Sequence, residues 1–110
     1  MSVETPDEQT PLDIAVALTQ FREHILYVVA DYDEPPHGLA IKADLEAIYH
    51  AEVNHGRLYP NLDQLVDNGL LEKGALDRRT NYYELTGHAR RVLAAKHDWE
   101  ATKLHGVQVP

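Results

Sequence analysis

Apolar residues recur with a helical period over four segments of the chain and with a shorter period over one. The first segment precedes an acidic, proline-containing stretch, Asp33 to Pro36, that ends a helix because the residue before a proline is pushed out of helical angles. Its apolar positions, four and three residues apart, are Ile14, Leu18, Phe21, Ile25, Val28 and Tyr32. The pattern predicts one long helix over about 11–33 whose apolar face serves a core, a partner subunit, or both.

Two further helices are predicted to form a helix-turn-helix. The first runs from about Gly38 to His50, and residues 51–55 form the turn. In the second, one face is apolar and carries Leu58, Leu62, Leu65 and Val66. Asn54 can cap its start, and Asn68-Gly69 ends it. Because Pro60 has no amide hydrogen, this helix begins either at residue 55 with an irregular first turn or near Pro60 itself.

The period changes after Gly69, where short apolar runs flank the polar turn of residues 77–81, as in a β-hairpin. Thr86 then caps a last helix that continues to about Leu104 and stops at Gly106. This order predicts a mainly α fold with a small β-hairpin wing (α+β), a winged helix-turn-helix occupying residues 11–106. Residues 1–10 are acidic, lack apolar periodicity and are predicted to be disordered.

Charge is unevenly distributed along the 110 residues, whose net charge is −8. Residues 1–54 hold two basic and eleven acidic side chains, whereas residues 55–91 hold six basic and five acidic ones. The overall charge argues against nucleic acid, but the least acidic segment is the one that contains the third helix and the hairpin. Abundant acidic residues also fit a protein adapted to a very salty cytoplasm, with salt cations bound at its surface.

Several classes of function are excluded or disfavoured. The chain has no cysteine, so disulfides, cysteine zinc sites and thiol switches are absent. No apolar run could span a bilayer and the start lacks a signal peptide, so a cytoplasmic location is expected. Seven histidines are scattered without an enzyme motif. Glu46, His50 and His55 could together hold a metal, but a surface histidine near a carboxylate is ordinary, so neither a metal nor another cofactor is predicted.

A polar helix face beside a basic hairpin tip is the arrangement in which a helix enters the major groove of double-stranded DNA and a wing follows its backbone. Arg57 is the predicted main base reader because its guanidinium matches two acceptors of guanine, and Asn61 and Gln64 could read adenine. The remaining predicted DNA contacts, to phosphates or for positioning, are Asn54, His55, Tyr59, Lys73, Arg78, Arg79 and Thr80. Taken alone, a solvated charged turn explains the hairpin tip equally well.

The terminal helices are predicted to form a homodimer. Trp99 lies near the end of the last helix, beyond the three-helix core, and needs a surface to pack against. The predicted dimerisation residues are Ile14, Leu18, Phe21, Ile25, Val28, Trp99 and Leu104. The alternative is that these side chains are buried inside a single subunit.

Three motifs resemble the PadR-type family of winged helix-turn-helix transcription regulators. They are His37-Gly38 followed by LAIKADL, the segment GRLYPNL from Gly56 with Asn68-Gly69-Leu70 after it, and YYELT from Tyr82 followed by Arg90, Arg91 and Leu93. Together the motifs cover roughly residues 18–105. Ala89 stands where the family usually has glycine, and Arg57 stands where it often has threonine or a small residue.

This resemblance implies a homodimer built by the terminal helices, about 11–33 and 87–105, with each recognition helix in a major groove. With a single helix after the wing, the chain resembles the short-tailed subgroup of the family. Its acidic composition resembles that of haloarchaeal members, one of which regulates an oxidative-stress response, and this resemblance implies a similar role here. The leading hypothesis is a homodimeric, sequence-specific transcription regulator on palindromic promoter DNA, not an enzyme. The alternative is a winged-helix module that binds another protein and no DNA.

Overall fold

The computed structural model describes residues 9–75 and 77–107. Its elements are α1 (Pro11–Ala17), α2 (Gln20–Ala30), α3 (Gly38–Tyr49), α4 (His55–Asp67), β1 (Leu71–Ala75), β2 (Asn81–Leu85) and α5 (Gly87–Lys103). The predicted winged helix-turn-helix is confirmed, with α3 and α4 as the two helices of the motif and β1–β2 as the wing. Most of the segment predicted to be disordered, residues 1–8, lies outside the described residues.

The prediction of one long N-terminal helix is wrong, because the chain breaks into α1 and α2 at Leu18 and Thr19. Leu18 has extended backbone angles, and the Thr19 hydroxyl accepts a hydrogen bond from the Arg22 amide at 3.2 Å, which caps α2. The break allows α1 to pack against α5, where Ala15 is buried. The predicted apolar stripe is therefore divided between two helices.

Much of that stripe lies inside the subunit. Phe21, Ile25 and Val28 belong to the buried core, and Ile14 and Leu18 pack against its edge. Burial in one subunit accounts for the three buried side chains without a partner. The predicted dimer surface is thereby reduced to the edge residues and to the exposed end of α5.

The core joins the helix-turn-helix to the wing. Its fully buried side chains come from α2, α3, α4, the wing and α5, and are Ile25, Leu26, Ile41, Leu45, Leu58, Leu62, Leu65, Leu70, Leu71, Tyr83 and Val92. Burying a side chain of this size stabilises the folded state by about 1.5–3 kcal/mol. Because α4 contributes three of these residues, its orientation is fixed by the core. Among the described residues, no helix is long and apolar enough to cross a membrane.

Helix α4 begins at His55, which decides between the two starts that Pro60 left open. The Asn54 side chain accepts a hydrogen bond from the Gly56 amide at 2.6 Å and caps the helix. Pro60 lies inside the helix and cannot donate to the Gly56 carbonyl, but both residues are exposed, so water can reach that carbonyl. The helix ends before Gly69, whose φ of 75° lies in the left-handed region, as the sequence predicted.

The wing is an antiparallel hairpin in which Leu71 faces Leu85 and Ala75 faces Asn81. It is attached to the start of α3, because the Tyr83 amide donates to the Pro36 carbonyl at 2.9 Å. Gly74 allows the Tyr82 ring to cross the neighbouring strand, since a Cβ atom at this position would overlap that ring. The wing is therefore held beside the first turns of both α3 and α4.

Candidate nucleic-acid interface

Helix α4 presents two flanks beside its buried face. Leu58, Leu62 and Leu65 point into the core, and the 100° advance per residue places Gly56 and Pro60 on the opposite, outward ridge. Arg57, Asn61 and Gln64 lie on one side of this ridge, and we call them the Arg57 flank. On the other side, α4 and the wing enclose a cavity that we call the wing groove.

The wing groove has a volume of about 340 Å³. Three elements line it, the start of α3, the start of α4 and the wing tip, through His37, Gly38, Leu39, His55, Tyr59, Arg79, Thr80 and Asn81. The structure thus brings together four of the predicted DNA contacts, His55, Tyr59, Arg79 and Thr80. The rings of His55 and Tyr59 pack with their centroids 4.2 Å apart.

Tyr59 is also a structural side chain of this groove. A Cβ atom on Gly38 would overlap the Tyr59 hydroxyl, so the tyrosine lies directly on the backbone of the first turn of α3. Glycine at position 38 is what permits this close approach. Tyr59 therefore fixes the spacing between α3 and α4 in addition to facing the groove.

The backbone of the wing tip is ordered by Asp77. Its carboxylate accepts hydrogen bonds from the amides of Arg79 and Thr80, each at 2.8 Å. These bonds, above all the one from Arg79, hold the pKa of the Asp77 carboxyl below its ordinary value. Arg78 and Arg79 are exposed and form no ion pair with any residue that the structure describes. An ordered backbone thus presents two exposed guanidinium groups, which suits contact with phosphates.

The Arg57 flank is held by contacts from α2. The Arg57 guanidinium carbon lies 3.9 Å from the centroid of the Phe21 ring, a cation–π contact worth about 0.5–1 kcal/mol at an exposed site. Asn61 donates from Nδ2 to the Arg57 carbonyl at 2.7 Å, and its Oδ1 accepts from Nε of Arg22 at 2.8 Å. Both polar atoms of the Asn61 amide are thus engaged within the subunit.

The structure shows how the Asn61 amide is oriented. Each polar atom keeps one further hydrogen or lone pair, so Asn61 can contact adenine only in the orientation that the Arg57 carbonyl and the Arg22 side chain fix. Gln64 is less restricted, since its side chain is exposed and makes one long hydrogen bond of 3.3 Å to Asn68. Both stay predicted adenine readers, and Gln64 is the one whose side chain has more freedom to turn toward a base edge.

Two of the remaining predicted contacts have structural partners. Lys73 lies 3.6 Å from the Asp63 carboxylate, in an exposed ion pair between β1 and α4. Asn54 is occupied as the cap of α4. The Asp63 carboxylate partly neutralises Lys73, which weakens it as a phosphate contact, and Asn54 orders the first turn of α4.

Sequence reasoning missed the contributions of Phe21 and Arg22 to this surface. Both residues lie on α2, and Arg22 is 39 positions from its partner Asn61. Phe21 was assigned to an apolar stripe. That pattern is correct, but it does not show which side chain packs over the face of the ring. The local sequence carries no signal for either contact.

The candidate metal ligands have other roles. The Glu46 carboxylate accepts hydrogen bonds from the Val53 amide at 2.9 Å and from Lys42 at 3.0 Å. The Val53 contact is the main cause of a pKa below the ordinary value for Glu46. His50 caps the end of α3 in the left-handed conformation, with φ 53°. Within the described ranges, no three histidine or acidic side chains converge as a metal site.

Comparison with known proteins identifies the family. Residues 25–95 match the transcriptional regulator PadR-like family, and the chain therefore belongs to it. The predicted family is confirmed, and the protein is a DNA-binding transcription regulator, not an enzyme. No match was found among curated proteins.

Solved structures agree with this assignment. The structure of H. salinarum RosR, from a crystal grown from NaBr, is 47% identical in sequence. The match covers 87% of this chain and 84% of that chain, with a TM-score of 0.77. The hsRosR-S4 complex is 44% identical, with 92% and 84% covered and a TM-score of 0.81. A PadR-like transcription factor from Bacteroides fragilis shares the fold, with 22% identity and a TM-score of 0.57. The match covers 74% of this chain and 82% of that chain.

Proposed function

We propose that two copies of the chain form a homodimer on promoter DNA, with each α4 in a major groove and each wing along the adjacent backbone. The observation that carries this proposal is the convergence of the first turns of α4 with the wing tip. His55, Tyr59 and Arg79 lie on one side of the outward ridge, and Arg57 lies on the other. On the ridge itself, Gly56 has no side chain and Pro60 has a short one, which allows close approach to base pairs.

The charge distribution supports this orientation. The segment that contains α4 and the wing, residues 55–91, has six basic and five acidic side chains, against two and eleven in residues 1–54. Phosphates repel carboxylates, so the least acidic surface is the one that can approach DNA. The charge distribution thus favours α4 and the wing as the part of the protein that approaches DNA.

We assign base reading and backbone contact to different side chains. Arg57 pairs with guanine, and Gln64 with adenine, through the major groove. The residues of the wing groove and tip, His55, Tyr59, Arg78, Arg79 and Thr80, contact phosphates or the minor groove. Lys73 is a weaker candidate for a phosphate contact because of its ion pair with Asp63.

Exposed apolar side chains on the terminal helices support the homodimer. Helix α1 packs against α5, and Val16 on α1 and Trp99 on α5 are 57% and 40% exposed. Leu104, which follows α5, is 56% exposed. A second copy would bury such side chains, and its two-fold symmetry would require a palindromic operator with half-sites about one DNA turn (~34 Å) apart.

Selection of bound sequences from a random duplex pool in molar KCl tests the DNA proposal. We expect enrichment of two inverted half-sites about 10–10.5 base pairs apart. Enrichment of no sequence would refute sequence-specific binding, and a single unpaired half-site would refute the symmetric dimer.

Light scattering tests the dimer independently of DNA, with an expected mass of twice the 12.4 kDa chain. Leu104→Asp should produce monomers, whereas Leu39→Asp, at a leucine that is 63% exposed on α3, should not. A wild-type monomer at tens of micromolar would contradict the proposal. The oxidative-stress role and the bound salt cations stay predictions.

A further inference from the structure

We infer that Arg22 and Phe21, on α2, are positioning residues that hold Arg57 in one orientation and thereby set the base preference of α4. This inference rests on the proposed function, in which Arg57 reads a base. The new element is that specificity at this base depends on a helix outside the helix-turn-helix motif. It depends on two contacts, a ring beneath the guanidinium and a hydrogen-bond relay to the backbone of α4.

The first contact restricts the Arg57 side chain itself. Arg57 is exposed, and a long exposed arginine populates many rotamers. Binding to a base selects one of them, and the loss of the others costs conformational entropy. The Phe21 ring, 3.9 Å from the guanidinium carbon, favours the subset of rotamers that lies across it. Phe21 is in turn fixed by burial and by stacking with Tyr49, whose ring centroid is 6.3 Å away. The ring is therefore a rigid support, and Arg57 lines the cavity that α2, the turn between α3 and α4, and α4 form.

The second contact restricts the backbone that carries Arg57. Pro60 removes one hydrogen bond from the first turns of α4. The Asn61 amide adds a bond in the same region, by donating to the Arg57 carbonyl at 2.7 Å. Arg22 fixes the amide by donating to its oxygen at 2.8 Å, so that the amide nitrogen faces the carbonyl. Arg22 thus acts on Arg57 through Asn61.

The atom that Arg22 uses makes the inference testable. The donor is Nε, which is bonded to Cδ. Glutamine also carries a nitrogen donor bonded to Cδ, without the charge, whereas lysine keeps the charge but has a carbon at that place. Arg22→Gln therefore preserves the relay and removes the charge, and Arg22→Lys does the opposite.

The experiment measures affinity for the selected operator and for operators with a single substitution at each base pair. Wild-type protein should discriminate the base read by Arg57 by roughly 5- to 150-fold. Arg22→Ala should lower this discrimination at that base pair by at least about threefold, as for residues coupled in one network. Arg22→Gln should retain it, and Arg22→Lys should behave like Arg22→Ala. In an Arg57→Ala background, Arg22→Ala should change discrimination no further.

Arg91→Ala is the matched control, because it removes an exposed positive charge from α5. Equal changes in base preference for Arg22→Ala and Arg91→Ala would overturn the inference. Retention of discrimination by lysine and its loss by glutamine would show that the charge of Arg22, and not its hydrogen bond to Asn61, supports the base preference, which also overturns the inference. A wild-type protein without base preference would instead refute the proposed function, before any variant is compared.

A measurement on the free protein tests the Phe21 contact without DNA. Ring currents from Phe21 should move the Arg57 side-chain proton resonances upfield, and Phe21→Leu should return them toward ordinary values. Unchanged Arg57 resonances in the leucine variant would show that the guanidinium does not lie on the ring. Thermal unfolding of each variant establishes that it is folded, and if Arg22→Ala is not, the comparison of glutamine with lysine decides.

Discussion

The two flanks of α4 differ in how their basic side chains are held. On the Arg57 flank, the guanidinium lies against a buried ring and the neighbouring amide is engaged at both ends. At the wing tip, Asp77 orders the backbone, while the arginine side chains form no ion pair with any described residue. The first arrangement restricts a side chain, and the second restricts only the chain that carries it.

This difference matches two kinds of contact with DNA. Reading a base requires two hydrogen bonds in a fixed direction, so a preorganised side chain gains specificity. Contacting a phosphate requires charge within reach and tolerates many directions. The contrast therefore supports the proposal that Arg57 discriminates among sequences and that Arg79 contributes affinity for all of them.

The largest expected effect comes from removing the support that the two flanks share. Leu58 is fully buried beneath α4, and Leu58→Ala should lower the free energy of unfolding by about 2–5 kcal/mol, because it removes buried surface and leaves a cavity. Chemical denaturation in molar KCl measures the loss. Leu39→Ala, the same substitution at an exposed helical leucine, should change it by less than about 0.5 kcal/mol. Similar losses for both variants would show that α4 is not anchored by this core.

The second prediction separates the flanks directly. Arg57→Ala should weaken binding to the operator by about 1–3 kcal/mol and relax the preference at one base pair in each half-site. Arg79→Ala should weaken binding to all sequences alike, because a phosphate contact carries no base information. Affinities for the operator and its single-base variants measure both effects. If Arg57→Ala weakened every sequence equally, Arg57 would be a backbone contact and the contrast would fail.

The elements of this fold are largely predictable from the sequence because apolar periodicity and helix ends are local. Asn54 and Gly69 correctly marked the limits of α4, and Thr86 marked the start of α5. The break at Thr19 was missed because the apolar spacing continues through it. A capping threonine stabilises a helix start by only about 1 kcal/mol, so tertiary packing of α1 on α5 decides between a break and a continuous helix.

The candidate site was predictable in its parts but not in its connections. The helix face identified Arg57, and the turn identified Arg79, since both follow from position in a local element. The engagement of Asn61 by Arg22 depends on how α2 crosses α4, and periodicity contains no information about that crossing. The residues that position the proposed reader are therefore harder to find from the sequence than the proposed reader.

The third prediction concerns the order of the wing tip. The pKa of Asp77 is lower in the folded protein than its ordinary value of 3.8, mainly through the Arg79 amide. Its stabilising effect is therefore fully present above pH 3.8 and is lost as the pH falls through the lower folded pKa. The amide proton resonances of Arg79 and Thr80 should titrate in that acidic window. Asp77→Asn keeps an acceptor that does not titrate, so the Arg79 and Thr80 amide resonances of this variant should stay constant over the same pH range. Equal titration in the variant and the wild type would exclude Asp77 as the cause.

The last and smallest effect is a change in salt dependence that only one flank should cause. If each subunit neutralised about three phosphates, counterion release would give a slope of log affinity against log salt near −5, at ~0.9 per contact. Eleven acidic side chains in residues 1–54 oppose this, because cation uptake relieves their repulsion from phosphates. We therefore expect a wild-type slope much shallower than −5, with binding that persists in molar KCl, where the Debye length is about 3 Å.

Arg79→Ala removes one phosphate contact per subunit. Relative to wild type, it should make the slope of the dimer less negative by about 1.8. Arg57→Ala should leave the slope unchanged, since a contact to a base releases no condensed counterion. Titration of affinity from low to molar KCl measures both variants beside wild type. An equal shift for the two would mean that both flanks contact the backbone, and a wild-type slope near −5 would mean that the acidic half takes up no cations on binding.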